Sequence, residues 1–127
     1  RRSILQESKE IVLDATFKLR KEELQVIQRK IEEFVRWRKQ TQPLSLPNAG
    51  SIFKNPRNDH AGRLIDVVGL KGARVGDAQV SARRANFIVN LGNAKAEDVL
   101  ALMHLMQREV YKRFGINLIT EVRILGE

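Results

Sequence analysis

The 127 residues predict an α+β domain, a small mixed sheet packed with two long helices and one short helix. Three observations carry that expectation. One early segment has a strand-like period of two, and two long segments have a helical period. Between them lie short apolar runs parted by glycines, with no regular βαβ alternation. A chain of this length can bury one modest core.

Residues 11–19 alternate, with Ile11, Leu13, Ala15, Phe17 and Leu19 on one face and Val12, Asp14, Thr16 and Lys18 on the other. That is the pattern of a half-buried strand. Leu24, Ile27, Ile31, Phe34 and Val35 then recur at helical spacing behind Glu22 and Glu23, acids that suit a helix start. A helix over 22–38 follows, ending before Pro43. Residues 40–60 break every pattern and hold all three prolines (Pro43, Pro47, Pro56) and Gly50. A patternless stretch this long is usually functional or disordered. Leu44, Leu46, Ile52 and Phe53 call for burial, which argues against disorder. Asp59 is a candidate cap for a short helix over 61–68. Gly69, Gly72 and Gly76 mark turns between strands expected at 73–75, 79–80 and 87–90. A long helix over 96–114 buries Val99, Leu102, Met103, Met106 and Val110, and Gly115 ends it as a left-handed cap. Lys95 cannot cap that helix, so a looser start is expected. Residues 116–125 read as a strand with Leu118, Val122 and Ile124 inward and Glu121 and Arg123 outward.

The net charge of +8 favours an anionic partner, although Lys and Arg are scattered rather than gathered in one block. With no cysteine, disulfides, thiolate nucleophiles and cysteine-type zinc clusters are excluded. His60 and His104 do not make a metal site; His104 and Trp37 read as packing residues. No apolar run is long enough to span a bilayer and no stretch has a signal peptide's order, so the expectation is a cytoplasmic chain with no membrane partner.

The most specific segment is Ala49-Gly50-Ser51-Ile52-Phe53-Lys54-Asn55-Pro56. A glycine before a serine lets backbone approach a ligand closely, and a small hydroxyl can then move a proton at short range. Lys54 and Asn55 add a cation and an amide suited to phosphate and base edges. Residue chemistry alone leaves open a turn whose Ser and Asn only bond the backbone.

Gln42-Pro43, Ala49 to Pro56, Ala61-Gly62-Arg63-Leu64-Ile65, Gly69-Leu70-Lys71-Gly72, Ala78-Gln79-Val80-Ser81, Ala85-Asn86-Phe87-Ile88-Val89-Asn90, Asp98-Val99 and Glu121-Val122 follow one another along nearly the whole chain. In this order they resemble the UDP-N-acetylenolpyruvoylglucosamine reductases (MurB), C-terminal part. The resemblance implies a flavoenzyme that uses FAD, with NADPH as hydride donor, to reduce UDP-N-acetylglucosamine enolpyruvate to UDP-N-acetylmuramate in peptidoglycan synthesis. It implies that residues 1–20 are the last strand of the flavin-binding region and 21–127 the substrate-binding domain. Arg1-Arg2-Ser3 resembles the end of the family's Tyr-Arg-x-Ser segment. The FAD-binding domains would be the protein partner, the UDP-sugar the substrate, and the chain alone inactive.

By the same resemblance Ser51 holds the place of the general acid and Glu121 that of the catalytic glutamate, thought to steady an enol-like intermediate. Lys54 and Asn55 match positions near the UDP portion, and Arg38 and Gln42 lie in the basic stretch that approaches the diphosphate. Arg123 could hold the Glu121 carboxylate or the substrate's. Arg84 departs from the family, where His is common, which keeps a positive charge but removes a titrating group. The competing reading is a non-enzymatic basic module for nucleic acid or another anion. No helix-turn-helix, RNA-binding or zinc signature supports it, and nucleic-acid binding is not expected.

Overall fold

A computed structural model describes residues 3–6, 8 and 10–126. Arg1 and Arg2, which carry part of the Tyr-Arg-x-Ser resemblance, lie outside the described residues. A 3-10 turn at Ile4–Gln6 precedes the first α-helix, α1, Leu24–Thr41. Then come β1 (Asn48–Ser51), α2 (Ala61–Val67), β2 (Arg74–Val75), β3 (Ala78–Val80), β4 (Phe87–Asn90) and α3 (Ala96–Phe114). The architecture is α+β, as predicted, with a four-stranded sheet in the order β1-β4-β3-β2. Every pairing in that sheet is antiparallel.

The core forms where the apolar stripe of α3 meets β2 and β3 on one side and α2 on another. Leu102, Met106 and Val110 of α3, Leu64 and Ile65 of α2, and Val80 of β3 are fully buried together with Ile52 and Phe53. Each such side chain contributes about 1.5–3 kcal/mol through burial. The α3 start is firmer than Lys95 suggested. The Asp98 carboxylate accepts the Lys95 backbone N–H at 2.9 Å, which supplies a cap without the Lys95 side chain. At the other end Gly115 has φ 65° and its N–H meets the Tyr111 carbonyl at 2.8 Å.

Several local expectations are corrected. Residues 11–19 form no strand: both faces stand open, with Leu13 93% and Val12 57% exposed, because alternation supplies a strand's pattern but not its partner. Likewise α1 has an apolar stripe but no buried residue, and Trp37 is exposed. Residues 116–125 make one isolated bridge, Phe53 to Thr120, rather than a strand. Their partner stretch is short, so Leu118 is buried and Val122 half-buried while Ile124 is exposed. Finally, α2 is capped from Asn55, whose Oδ1 accepts the Ala61 N–H at 3.1 Å. Asp59 instead accepts from the His60 N–H at 2.6 Å and from Arg63 Nε at 2.7 Å. His104 is also exposed, so its predicted packing role is not seen. Among the described residues, no helix is long and apolar enough to cross a membrane.

Candidate functional site

The segment read as irregular contains β1, and its geometry centres on Ser51. Strand β1 pairs with β4 through Asn48–Val89 and Ser51–Phe87, so β1 carries an extra residue between the two pairs. This is a β-bulge, a device that bends a strand and re-aims its side chains. Gly50 sits in the bulge at φ 83°, a left-handed conformation that favours glycine. Its N–H donates to Asn48 Oδ1 at 3.0 Å, while Asn48 Nδ2 donates to the Leu46 carbonyl at 2.9 Å and the Pro43 carbonyl at 3.1 Å. The chain then dives inward, burying Ile52 and Phe53 and leaving Ser51 half-buried beside them.

Glu121 reaches the same place through the backbone. Its N–H donates to the Ile52 carbonyl at 2.8 Å, and the Lys54 N–H donates to the Ile119 carbonyl at 2.8 Å. Asn86 secures the third side. Its Oδ1 accepts the Phe53 N–H at 3.0 Å and its Nδ2 donates to the Phe53 carbonyl at 2.8 Å, both buried. Ser51, Asn55, Arg84 and Glu121 thereby line one cleft of about 380 Å³, together with Phe53, His60, Gly62, Arg63, Asp66, Lys71, Arg83, Ala85 and Asn86.

The cleft is rich in cations whose engagement differs. Arg63 forms a two-pronged pair with Asp59, and this guanidinium, followed by the His60 N–H, holds the Asp59 carboxyl down at about 2. Lys71 Nζ lies 2.6 Å from Asp66 Oδ2. Arg83 donates to the Lys39 carbonyl at 2.9 Å. Arg84 stacks over the Phe87 ring, 5.6 Å from its centroid, and has no acidic partner among the described residues. A phosphate or carboxylate would find planar donors here with modest competition. Among the described residues no group of acids and histidines is arranged to hold a metal ion.

Of the residues singled out from sequence, Ser51, Glu121, Asn55 and Arg84 share the cleft. The other four do not line it. Lys54 is exposed, with its backbone spent on Ile119; Arg38 and Gln42 lie at the end of α1; Arg123 is exposed on the last segment. Sequence reasoning assigned no site role to His60, Arg63, Asp66, Lys71, Arg83 and Asn86. The Asp59–Arg63 spacing of four was a legible signal for one pair. Nothing local in the sequence indicated that Arg83 would reach α1.

A model of the UDP-N-acetylenolpyruvoylglucosamine reductase C-terminal domain matches residues 42–125. UDP-N-acetylenolpyruvoylglucosamine reductase 2 of Symbiobacterium thermophilum is 51% identical over 122 residues, 96% of this chain and 40% of that protein. The reductase of Caldicellulosiruptor bescii is 48% identical over 130 residues, all of this chain and 41% of its own. The crystal structure of the reductase (MurB) from Thermus caldophilus superposes with a TM-score of 0.66 at 48% identity, covering 83% of this chain and 37% of that one. The chain thus spans about 40% of the length of the curated relatives it matches. From the bulged Ser51 strand to the Glu121 segment, the matched residues include the whole cleft, and the chain belongs to the UDP-N-acetylenolpyruvoylglucosamine reductase family through its C-terminal domain.

Proposed function

We propose that this chain is the substrate-binding domain of a flavin-dependent reductase that converts UDP-N-acetylglucosamine enolpyruvate to UDP-N-acetylmuramate for peptidoglycan synthesis in the cytoplasm. The observation that carries the reading is the single cleft shared by Ser51 and Glu121 and rimmed by arginines. A proton donor, a carboxylate and anion-binding cations are what the reduction of a negatively charged enol ether needs in one place.

The described residues offer FAD no cradle of their own. Every buried side-chain polar atom among them already has a partner, so none is left aimed at a flavin ring. FAD is therefore assigned to other parts of a family-length protein, to which residues 1–20 would contribute a strand, with 21–127 forming the substrate domain. Bound there and reduced by NADPH, FAD would supply the hydride-transfer chemistry at the substrate double bond. The steps assigned to this chain are the others. Ser51 Oγ gives its proton to a carbon of that bond, which has become strongly basic, and this basicity lets a weak acid serve. Glu121 orients the substrate as negative charge shifts towards its carboxylate. Arg84 binds an anionic group directly, and Asn55, which lines the same cleft, contacts the UDP portion. Lys54, Arg38 and Gln42, outside the cleft lining, act at longer range on the UDP portion, and Arg123 holds the Glu121 carboxylate or the substrate's.

The test is Ser51→Ala in a protein that carries this chain together with a flavin-binding region. Reduction of the flavin by NADPH should keep its rate, while reoxidation of the flavin by substrate should fall at least ~100-fold, as removal of a general acid requires. Reoxidation at the parental rate would remove Ser51 from the reaction. The nucleic-acid reading predicts retention of duplex DNA at physiological salt, and no retention is expected.

A further inference from the structure

Helix α1 ends in a way that its own sequence cannot complete. A carbonyl in the last turn of a helix lacks the partner four residues on unless something else supplies a donor. For Lys39 that residue is Pro43, which has no N–H. The neighbouring Arg38 carbonyl is served normally by the Gln42 N–H at 2.9 Å. The Lys39 carbonyl is served instead by Arg83, from 44 residues away, at 2.9 Å.

Arg83 is well placed to act as an anchor. It stands on the turn between β3 and β4, where Ser81 is buried and its Oγ accepts the N–H groups of Arg83 and Arg84 at 3.2 and 3.3 Å. The same turn is clamped to Phe53 by Asn86. Helix α1, by contrast, has no buried residue, so apolar packing does not fix its direction. The guanidinium has five donors in a rigid fork. One holds α1, and Arg83 also lines the cleft that contains Ser51 and Glu121.

We propose that Arg83 is a positioning residue that ties the last turn of α1 to the cleft wall, so that an anion bound in the cleft steadies α1 and brings its Arg38 and Lys39 to bear on the ligand. The ligand half of this inference rests on the cleft being a UDP-sugar site. An anion held by the remaining donors fixes the guanidinium plane, and a fixed plane fixes the helix end that it carries. Arg38 and Lys39, which do not line the cleft themselves, then act on the ligand through the field of their charges, held towards it by the orientation of their helix.

Amide hydrogen exchange on this chain, with UDP-N-acetylglucosamine as the probe, tests both halves. In the free protein Arg83→Gln should speed exchange at Thr41 and Gln42 about tenfold, the loss of one hydrogen bond, and leave α3 amides unchanged. The probe should slow exchange at Thr41 and Gln42 in the parent chain and not in Arg83→Gln. Arg83→Lys keeps the charge but presents a single ammonium, so it should restore part of the free-state protection without the response to ligand. Unaltered exchange at Thr41 and Gln42 in free Arg83→Gln would overturn the tie. A ligand response that survives in Arg83→Gln would overturn the coupling. If the nucleotide sugar binds neither parent nor variant, measured by calorimetry, the substrate reading and the coupling fall together, while the free-state exchange still decides the tie.

Discussion

At the scale of single residues, the candidate site depends on conformations that a side chain list does not display. Ser51 stood out as a hydroxyl behind a glycine in a proline-marked stretch, and only the family resemblance turned it into a general acid. What the residues could not reveal is that Gly50 sits in a bulge with φ 83°. A Cβ built on Gly50 meets nothing within 4 Å, so Gly50→Ala incurs backbone strain without a clash. It should lower stability by about 1–2 kcal/mol in urea denaturation. It should also weaken UDP-N-acetylglucosamine binding as the bulge re-aims Ser51. Asp59 gives a second residue-scale test. Its carboxyl is held at about 2, below the ordinary 3.8, by Arg63 first and the His60 N–H second. A depressed carboxyl stabilises the fold fully above its unfolded value and loses that contribution as pH falls towards the folded one. The carboxyl signal of Asp59 should therefore titrate near pH 2 in the folded protein, and Arg63→Gln should return it towards 3.8. A midpoint that ignores Arg63→Gln would remove the pair as the cause.

Elements with their own periodicity were readable, and elements defined by a distant partner were not. The α3 bounds and β4 follow from the 3.6-residue stripe and a short apolar run, both local properties. Strand β1 was hidden because Asn48, Ala49, Gly50 and Ser51 have poor strand propensity and follow Pro47; pairing with β4 overrides that preference. Residues 11–19 are the converse case, a strand pattern with no ladder among the described residues. The site shows the same division. Ser51 and Glu121 were marked by motif, whereas their meeting depends on the Ile52–Glu121 backbone bond and on Asn86. Asn86→Ala should thus cost about 2–4 kcal/mol, since it leaves both buried backbone groups of Phe53 unpaired. Asn86→Asp keeps an acceptor for the Phe53 N–H but loses the donor for its carbonyl, and it should be no better tolerated. Chemical denaturation of the two variants decides whether Asn86 clamps the cleft wall or merely fills it.

At the scale of the whole molecule, stability and exposed apolar surface reside in different parts of the chain. Every residue of the buried apolar cluster lies between Ile52 and Leu118. Residues 11–41 hold the largest concentration of exposed apolar side chains, including Leu13, Phe17, Leu19, Ile31, Phe34 and Trp37. An apolar surface of this kind promotes association in water and adds nothing to the stability of an isolated chain. Removing residues 1–41 should consequently leave the thermal unfolding midpoint within a few degrees of the parent's, because one surface hydrogen bond from Arg83 is the identified side-chain tie lost. It should also reduce dye binding to exposed apolar surface and any tendency to self-associate. Circular dichroism melts and dye fluorescence on the two chains measure both effects. A fall in the midpoint of more than about ten degrees would mean that α1 contributes to the cooperative core despite having no buried residue, and the fold would then begin at Leu24 rather than at Pro43.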